Sequence, residues 1–168
     1  MDISQKCTKD AWQKCDVYVA RCRKRTDGTM GDFVKYYDGA FCEAGNLGKE
    51  SAILTNMWHP RVVYSVPEKM FIMTGKPIIS TMKGKIKNLD AKARVMQIST
   101  SYDMIHWSEP EIVYQNGLPW GNHYNAIVPD DKVNQPNLLA SNTFSILNNH
   151  NGTDVMRYPA ELRHRKNF

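Results

Sequence analysis

Long apolar runs are missing from this chain, which excludes a membrane-spanning helix, since such a helix needs about 20 consecutive apolar residues. The residues after Met1 also lack the apolar stretch of a secretory signal peptide. The chain as written is therefore expected to be soluble and cytoplasmic, without a membrane partner. If it is a piece of a longer protein, residues upstream of Met1 would leave the compartment open.

Cysteine is scarce and lies only in the first quarter of the chain, at positions 7, 15, 22 and 42. No two of these residues form a C-x-x-C pair, and no histidine lies in the same segment. This spacing excludes a paired zinc signature. Buried free thiols are the expected state, and no metal site is predicted.

Charge of one sign forms only short local groups, at residues 21–25 and 163–166, although the net charge is +5. Lysine and arginine are spread along the chain and mixed with acidic residues, whereas a nucleic-acid interface needs basic side chains on one face with interleaved aromatics. No nucleic-acid partner is therefore expected, and residues 163–168 are interpreted as a basic C-terminal tail. A modest positive field could still draw in acidic sugars.

The clearest local pattern lies in residues 98–114, ISTSYDMIHWSEPEIVY. A strand over 94–99, a turn headed by Ser101 and Asp103, then Trp107 and a strand over 111–114 predict an outer β-hairpin. Short Ser and Asp side chains close such turns by bonding the backbone, and an indole seals the hairpin against its neighbours. Ser-x-Asp-x-x-x-Trp is thus interpreted as a folding device, with a ligand or ion on Asp103 as the alternative.

A looser copy of this hairpin lies earlier, in residues 16–37, with Asp27 and Phe33 near the positions of Asp103 and Trp107. Each copy is followed by a connection that contains glycine and then by an aromatic segment, at 58–60 and 120–124. The period is roughly 50 to 75 residues, in the range of propeller blades. Residues 138–147 and 155–162 are the predicted last strands, joined through the Asn151-Gly152 hairpin signal.

These segments together resemble the C-terminal part of a glycoside hydrolase β-propeller, closest to the five-bladed furanosidase type of glycoside hydrolase family 43, with sialidase-type propellers as second choice. The resemblance rests on HPRVVYSVPEKMFIMTG, ARVMQISTSYDMIHWSEPEIV, GNHYNAIV and TFSILNNHNGTDVMRYPAEL, and it covers about residues 16–162. It implies an all-β fold of four-stranded antiparallel blades.

The chain is long enough for about three blades, since each takes about 40 to 60 residues and closed rings use about 4 to 8. Residues 1–168 are therefore expected to form a single, incomplete propeller domain, with 1–13 as a frayed tail or the remnant of an earlier blade. Either the chain is a fragment of a longer enzyme, or a second chain closes the ring, for example in a homodimer.

In propellers of this kind the chemistry lies at the mouth of the central channel, where the innermost strands begin. Two such starts, 57–61 and 120–125, each combine an indole that can stack on a sugar with a histidine and other hydrogen-bonding groups. A satisfied core histidine is the alternative for His59 and His123. A cation near His123 is also implied by the resemblance, and no other cofactor is expected. The substrate-binding residues so implied are Trp58, His59, Arg61, Trp120, Asn122 and His123.

Glycoside hydrolysis usually needs two carboxyl groups beside the scissile bond. Related propellers carry them mainly on early blades, and here His59-Pro60 stands where members often have an acid before proline. Glu50 is the first candidate acid and Glu43 the second, with solvated loop glutamates as the alternative. The expected function is a glycosidase-type propeller that hydrolyses or binds oligosaccharides or glycans; the alternative is a non-catalytic carbohydrate-binding or interaction propeller.

Overall fold

The computed structural model describes residues 15–78, 95–122, 124–130, 135, 137–150 and 154–163. Strands are the only regular elements in these ranges, so the predicted all-β class is confirmed. A helix suited to crossing a membrane is likewise absent from the described residues. The strands are β1 Ala20–Arg21, β2 Val34–Tyr37, β3 Ala40–Ala44, β4 Trp58–Ser65, β5 Met70–Lys76, β6 Gln97–Ser101, β7 Glu111–Ile112, β8 Tyr114–Gln115, β9 Leu118–Pro119, β10 Asn125–Pro129, β11 Leu138–Leu139, β12 Thr143–His150 and β13 Asp154–Glu161.

The chain divides into two compact units, Met1–Thr55 and Asn56–Phe168. The first unit contains the antiparallel sheet β1-β2-β3. Asp38 and Gly39 connect β2 to β3, and both have positive φ, at 47° and 86°. This is the backbone of a type I′ hairpin, for which Asp-Gly is a preferred pair. The single partial propeller domain remains a prediction.

The second unit contains a five-stranded sheet in the order β11-β4-β5-β6-β7. Strands β4 to β7 form an antiparallel meander, and the short β11 adds to the β4 edge in parallel. A three-stranded antiparallel sheet, β10-β12-β13, and the small β8-β9 hairpin complete the unit. None of these sheets is closed.

The core of the second unit is built by strands of both larger sheets, whose buried apolar side chains form one cluster. Trp120 and Leu162 pack against this cluster from outside the strands. Burial of these side chains is the main term that holds the two sheets together. The buried members are Val63, Ile72, Met96, Ile127, Leu139, Phe144 and Ile146.

The outer hairpin predicted around Ser101 and Asp103 is present, with β6 and β7 paired antiparallel. Asp103 Oδ1 accepts hydrogen bonds from the backbone N–H groups of Ile105 and His106, both at 2.8 Å. Ser101 Oγ accepts the Met104 N–H at 2.9 Å, and Trp107 Nε1 donates to the Met104 carbonyl at 3.0 Å. These side chains form hydrogen bonds with backbone groups of the turn, which is the structural role predicted for them.

The looser copy repeats the aspartate chemistry but not the aromatic seal. Asp27 Oδ1 accepts from the backbone N–H and the hydroxyl of Thr29, at 2.9 and 2.7 Å. Phe33, however, is 51% exposed. Strand β1 is also only two residues long, where the alternation predicted a strand over 16–22. The copy is therefore a hairpin closed at its turn and open at its aromatic position.

Replacing Asp103 by asparagine should lower the free energy of unfolding in a pH-dependent way. The His106 ring, followed by the backbone N–H groups of His106 and Ile105, holds the pKa of Asp103 well below its usual value of 3.8. The carboxylate therefore stabilises the folded chain above that value, and the contribution is lost as the pH falls below it. Urea unfolding at about pH 7, 5 and 3 should show a constant deficit for Asp103→Asn at the two higher values and a smaller one at the lowest.

The matched control is Glu109→Gln, because Glu109 is an exposed carboxylate in the same hairpin with no hydrogen-bond partner among the described residues. The urea midpoint of Glu109→Gln should equal that of the wild type at each pH. Equal midpoints for Asp103→Asn and wild type at pH 7 would contradict the stabilising role assigned to the carboxylate.

Candidate functional site

The His59 ring of the second unit contacts the rings of Trp58 and Tyr124, and these three rings are called the aromatic platform below. The Trp58 and His59 rings stack with centroids 4.8 Å apart and an interplanar angle of 19°. The Tyr124 ring is tilted against His59 at a centroid distance of 4.9 Å. Tyr124 is 52% exposed, so the platform reaches the surface.

A local irregularity of β4 makes the platform possible. Successive residues of a regular strand point to opposite faces, which would separate the Trp58 and His59 rings. The register of β4 against β5 shifts between Trp58 and Arg61, and His59 has a φ of 52°, in the left-handed region. An irregularity of this kind re-aims side chains, and a strained non-glycine residue is a feature that clusters at functional sites.

Tyr124 is positioned by a polar turn before β10. The Asn125 side chain donates to the Asn122 carbonyl at 2.7 Å and accepts from the Asn122 N–H at 3.2 Å. Asn122 is only 6% exposed, so these bonds fix a buried backbone. Because Tyr124 lies between the two bonded asparagines, the turn fixes the backbone from which its ring reaches His59.

Two cationic side chains lie beside the platform. Lys76 pairs with Trp58 in the register of β4 and β5, and its Nζ lies 5.5 Å from the indole centroid. Burial, followed by the charges of Arg61 and Lys76, lowers the pKa of His59. The His59 ring is therefore neutral near pH 7 and can both donate and accept a hydrogen bond. Burial also lowers the pKa of Lys76.

Of the residues predicted at the second blade start, Trp120 and Asn122 serve packing and turn formation. The Trp120 indole contacts Tyr158 edge to face, with centroids 4.9 Å apart, and packs against the core cluster. Asn122 contributes its backbone to the polar turn. His123 lies outside the described residues, and the predicted cation near it remains a prediction.

The two predicted acids belong to the first unit. The Glu50 carboxylate forms an ion pair with Lys35 at 2.9 Å. Glu43 accepts a hydrogen bond from the Lys49 backbone at 3.2 Å and, together with Asp32, lines an open depression of about 870 Å³. No group of three or more metal-ligating side chains occurs among the residues that the structure describes.

Tyr124 and Lys76 belong to the site but were not predicted. Tyr124 lies within the aromatic segment at 120–124, but the repeated Trp and His pattern indicates its neighbours as site residues. Lys76 has only a partial local signal, because a regular pairing across the 66–69 turn would place Pro77 opposite Trp58, and the register shift between Trp58 and Arg61 brings Lys76 there instead. The contact between Tyr124 and His59 has no such local signal.

Comparisons of the chain with protein-family models, with curated proteins and with solved structures found no match. The chemistry of the site follows from its geometry. The adjacent rings, of which Tyr124 is the exposed one, offer apolar surface to a ligand. His59, Arg61 and Lys76 place polar and charged groups beside that surface. Such a surface suits a ligand that has both apolar faces and hydroxyl or charged groups.

Proposed function

We propose that this chain is a carbohydrate-binding β-propeller with incomplete blades. The meander β4-β5-β6-β7 supports this fold, because a four-stranded antiparallel sheet is the unit from which propellers are built. The outer strands β6 and β7 are joined by the Ser101 and Asp103 turn, which is one of the segments that resemble glycoside hydrolase propellers. In this proposal the sheets β1-β2-β3 and β10-β12-β13 are partial blades, and a second copy or further blades close the ring.

The aromatic platform is the observation that carries the functional proposal. Sugar rings have apolar C–H faces edged by hydroxyl groups, so they bind where an aromatic face lies beside hydrogen-bonding side chains. Trp58 and Tyr124 supply the faces, and the His59 ring between them brings polar nitrogen atoms to the platform. The platform is held by a strand irregularity and a polar turn, which preorganises it for a ligand.

Replacing Trp58 or Tyr124 by alanine should weaken oligosaccharide binding by about tenfold or more, since anchoring aromatic side chains dominate such contacts. Isothermal titration calorimetry with a panel of neutral and acidic oligosaccharides would identify a ligand and then measure both variants. Tyr102→Ala is the matched control, because Tyr102 is 76% exposed on the outer hairpin turn. Tyr102→Ala should bind the oligosaccharide with the affinity of the wild type.

Retained affinity in both platform variants would contradict the proposal, as would the absence of binding to every member of the panel at millimolar concentration. The samples are first characterised by light scattering, so that the stoichiometry refers to a known molar mass. Far-ultraviolet circular dichroism of each variant shows that the strands are kept.

Glycoside hydrolysis is the second candidate, favoured by one observation in the first unit. Asp32 and Glu43 line the same open depression, and glycosidases use two carboxyl groups. Release of reducing ends from the panel oligosaccharides, lost in Glu43→Gln, would support hydrolysis at that depression. The absence of released reducing ends would leave the binding function as the activity of the chain.

A further inference from the structure

The elements that form the platform carry positive charge and no negative charge. Strands β4, β5 and β10 together contain Arg61 and Lys76, whereas neither aspartate nor glutamate occurs in any of the three. Within these three strands the charge beside the platform is therefore positive alone, although the chain as a whole mixes both signs. Positive charge at this position favours an anionic ligand over a cationic one.

The two cations differ in burial and in the hydrogen bonds that they can offer to one carboxylate. Arg61 is exposed and forms no ion pair with any of the described residues, so its planar guanidinium can meet a carboxylate through two parallel hydrogen bonds. Lys76 is half-buried beside the Trp58 ring and supplies a compact ammonium close to the stacking face.

The partial burial of Lys76 also favours an anion. Desolvation lowers the pKa of Lys76, and Arg61 and Lys76 both contribute to lowering the pKa of His59, so the two charges act on the same small region. An anion bound there would offset the charge that burial disfavours. A neutral sugar on the same rings would gain the stacking but not the attraction between a negative charge and the cations.

We propose that the platform selects carboxylated sugars, with the uronate ring on Trp58 and Tyr124 and its carboxylate between Arg61 and Lys76. This inference rests on the proposed function, because it specifies the ligand class of the same platform. The carboxylate matches the fork of Arg61, and the preference is for the carboxyl group over the primary alcohol at the same carbon of the corresponding neutral sugar.

The test compares paired ligands that differ only at the carboxyl group. Oligomers of galacturonate, glucuronate and mannuronate are titrated beside their carboxyl-reduced counterparts, at low and at high sodium chloride. At least one uronate should bind about tenfold or more tightly than its reduced partner at low salt. That advantage should shrink at high salt, because exposed charges are screened.

Variants then assign the preference to the two cations. Arg61→Gln and Lys76→Gln should each lower the affinity for the uronate by more than the affinity for the reduced sugar, so that the two affinities converge. Lys69→Gln is the matched control, because Lys69 is an exposed lysine in the turn at the other end of the same hairpin. It removes the same charge and should leave both affinities unchanged.

The possible failures are distinguishable. Equal affinities within every pair, or a preference that survives in both Arg61→Gln and Lys76→Gln, would overturn the selectivity for uronates while the proposed sugar binding stands. If no member of any pair binds at millimolar concentration, and the neutral panel is also negative, both the selectivity and the proposed function fail.

Discussion

Gly121→Ala is expected to lower the free energy of unfolding of the second unit by about 2 to 5 kcal/mol. Gly121 has a φ of 143°, a conformation that residues with a Cβ atom rarely adopt. A Cβ at this position would also collide with the Met96 backbone nitrogen and Cβ, and would lie 2.8 Å from the carbonyl carbon of Val95. Because backbone atoms cannot move aside cheaply, the strain and the collision add.

Gly117→Ala separates these two causes. Gly117 has a φ of 77° in the β8-β9 turn, and a Cβ there would meet no atom within 4 Å. It should cost only about 1 to 2 kcal/mol, the conformational term alone. Urea unfolding of the three proteins measures the difference, and a Gly121→Ala variant no less stable than Gly117→Ala would show that the close approach to Met96 is wrong.

Ile72→Ala should lower the free energy of unfolding by about 2 to 5 kcal/mol, because it removes apolar groups from the core and leaves a cavity. Ile72 is fully buried on β5, pairs with Val63 on β4 and belongs to the core cluster of both larger sheets. Val155→Ala on β13 is the control, since Val155 is 64% exposed and should change stability by less than about 0.5 kcal/mol.

Denaturation in urea, followed by tryptophan fluorescence, measures both variants against the wild type. An Ile72→Ala midpoint equal to that of Val155→Ala would contradict the position of the core between β4, β5 and the second sheet. The slope of the unfolding curve shows whether the same surface is exposed in each case.

The local turns could be predicted from the sequence because their chemistry involves neighbouring residues. Ser101 and Asp103 close a turn through bonds that span two or three residues, so their types and spacing carry the prediction. Asp38-Gly39 and Asn116-Gly117 likewise adopt the positive φ values that their side chains tolerate, and each lies in a hairpin.

The composition of the site could not be predicted in the same way. Trp58 and Trp120 lie in similar local patterns, yet Trp58 is in the platform and Trp120 packs against the core. The difference depends on the register shift after Trp58 and on which sheet covers Trp120, both of which are tertiary features. The approach of Tyr124 to His59 joins segments more than 60 residues apart in sequence, and no pattern within either segment specifies it.

The most direct test of the central claim is ¹⁹F nuclear magnetic resonance of protein labelled with 5-fluorotryptophan. The chain has four tryptophans, and substitution of each by phenylalanine assigns its signal. Titration with an oligosaccharide selected by calorimetry should shift the Trp58 signal in a saturable way, with the same affinity as the heat signal, and leave Trp107 and Trp120 in place. A saturable shift at Trp107 or Trp120 with no change at Trp58 would show that the sugar binds elsewhere and that the aromatic platform is not the site.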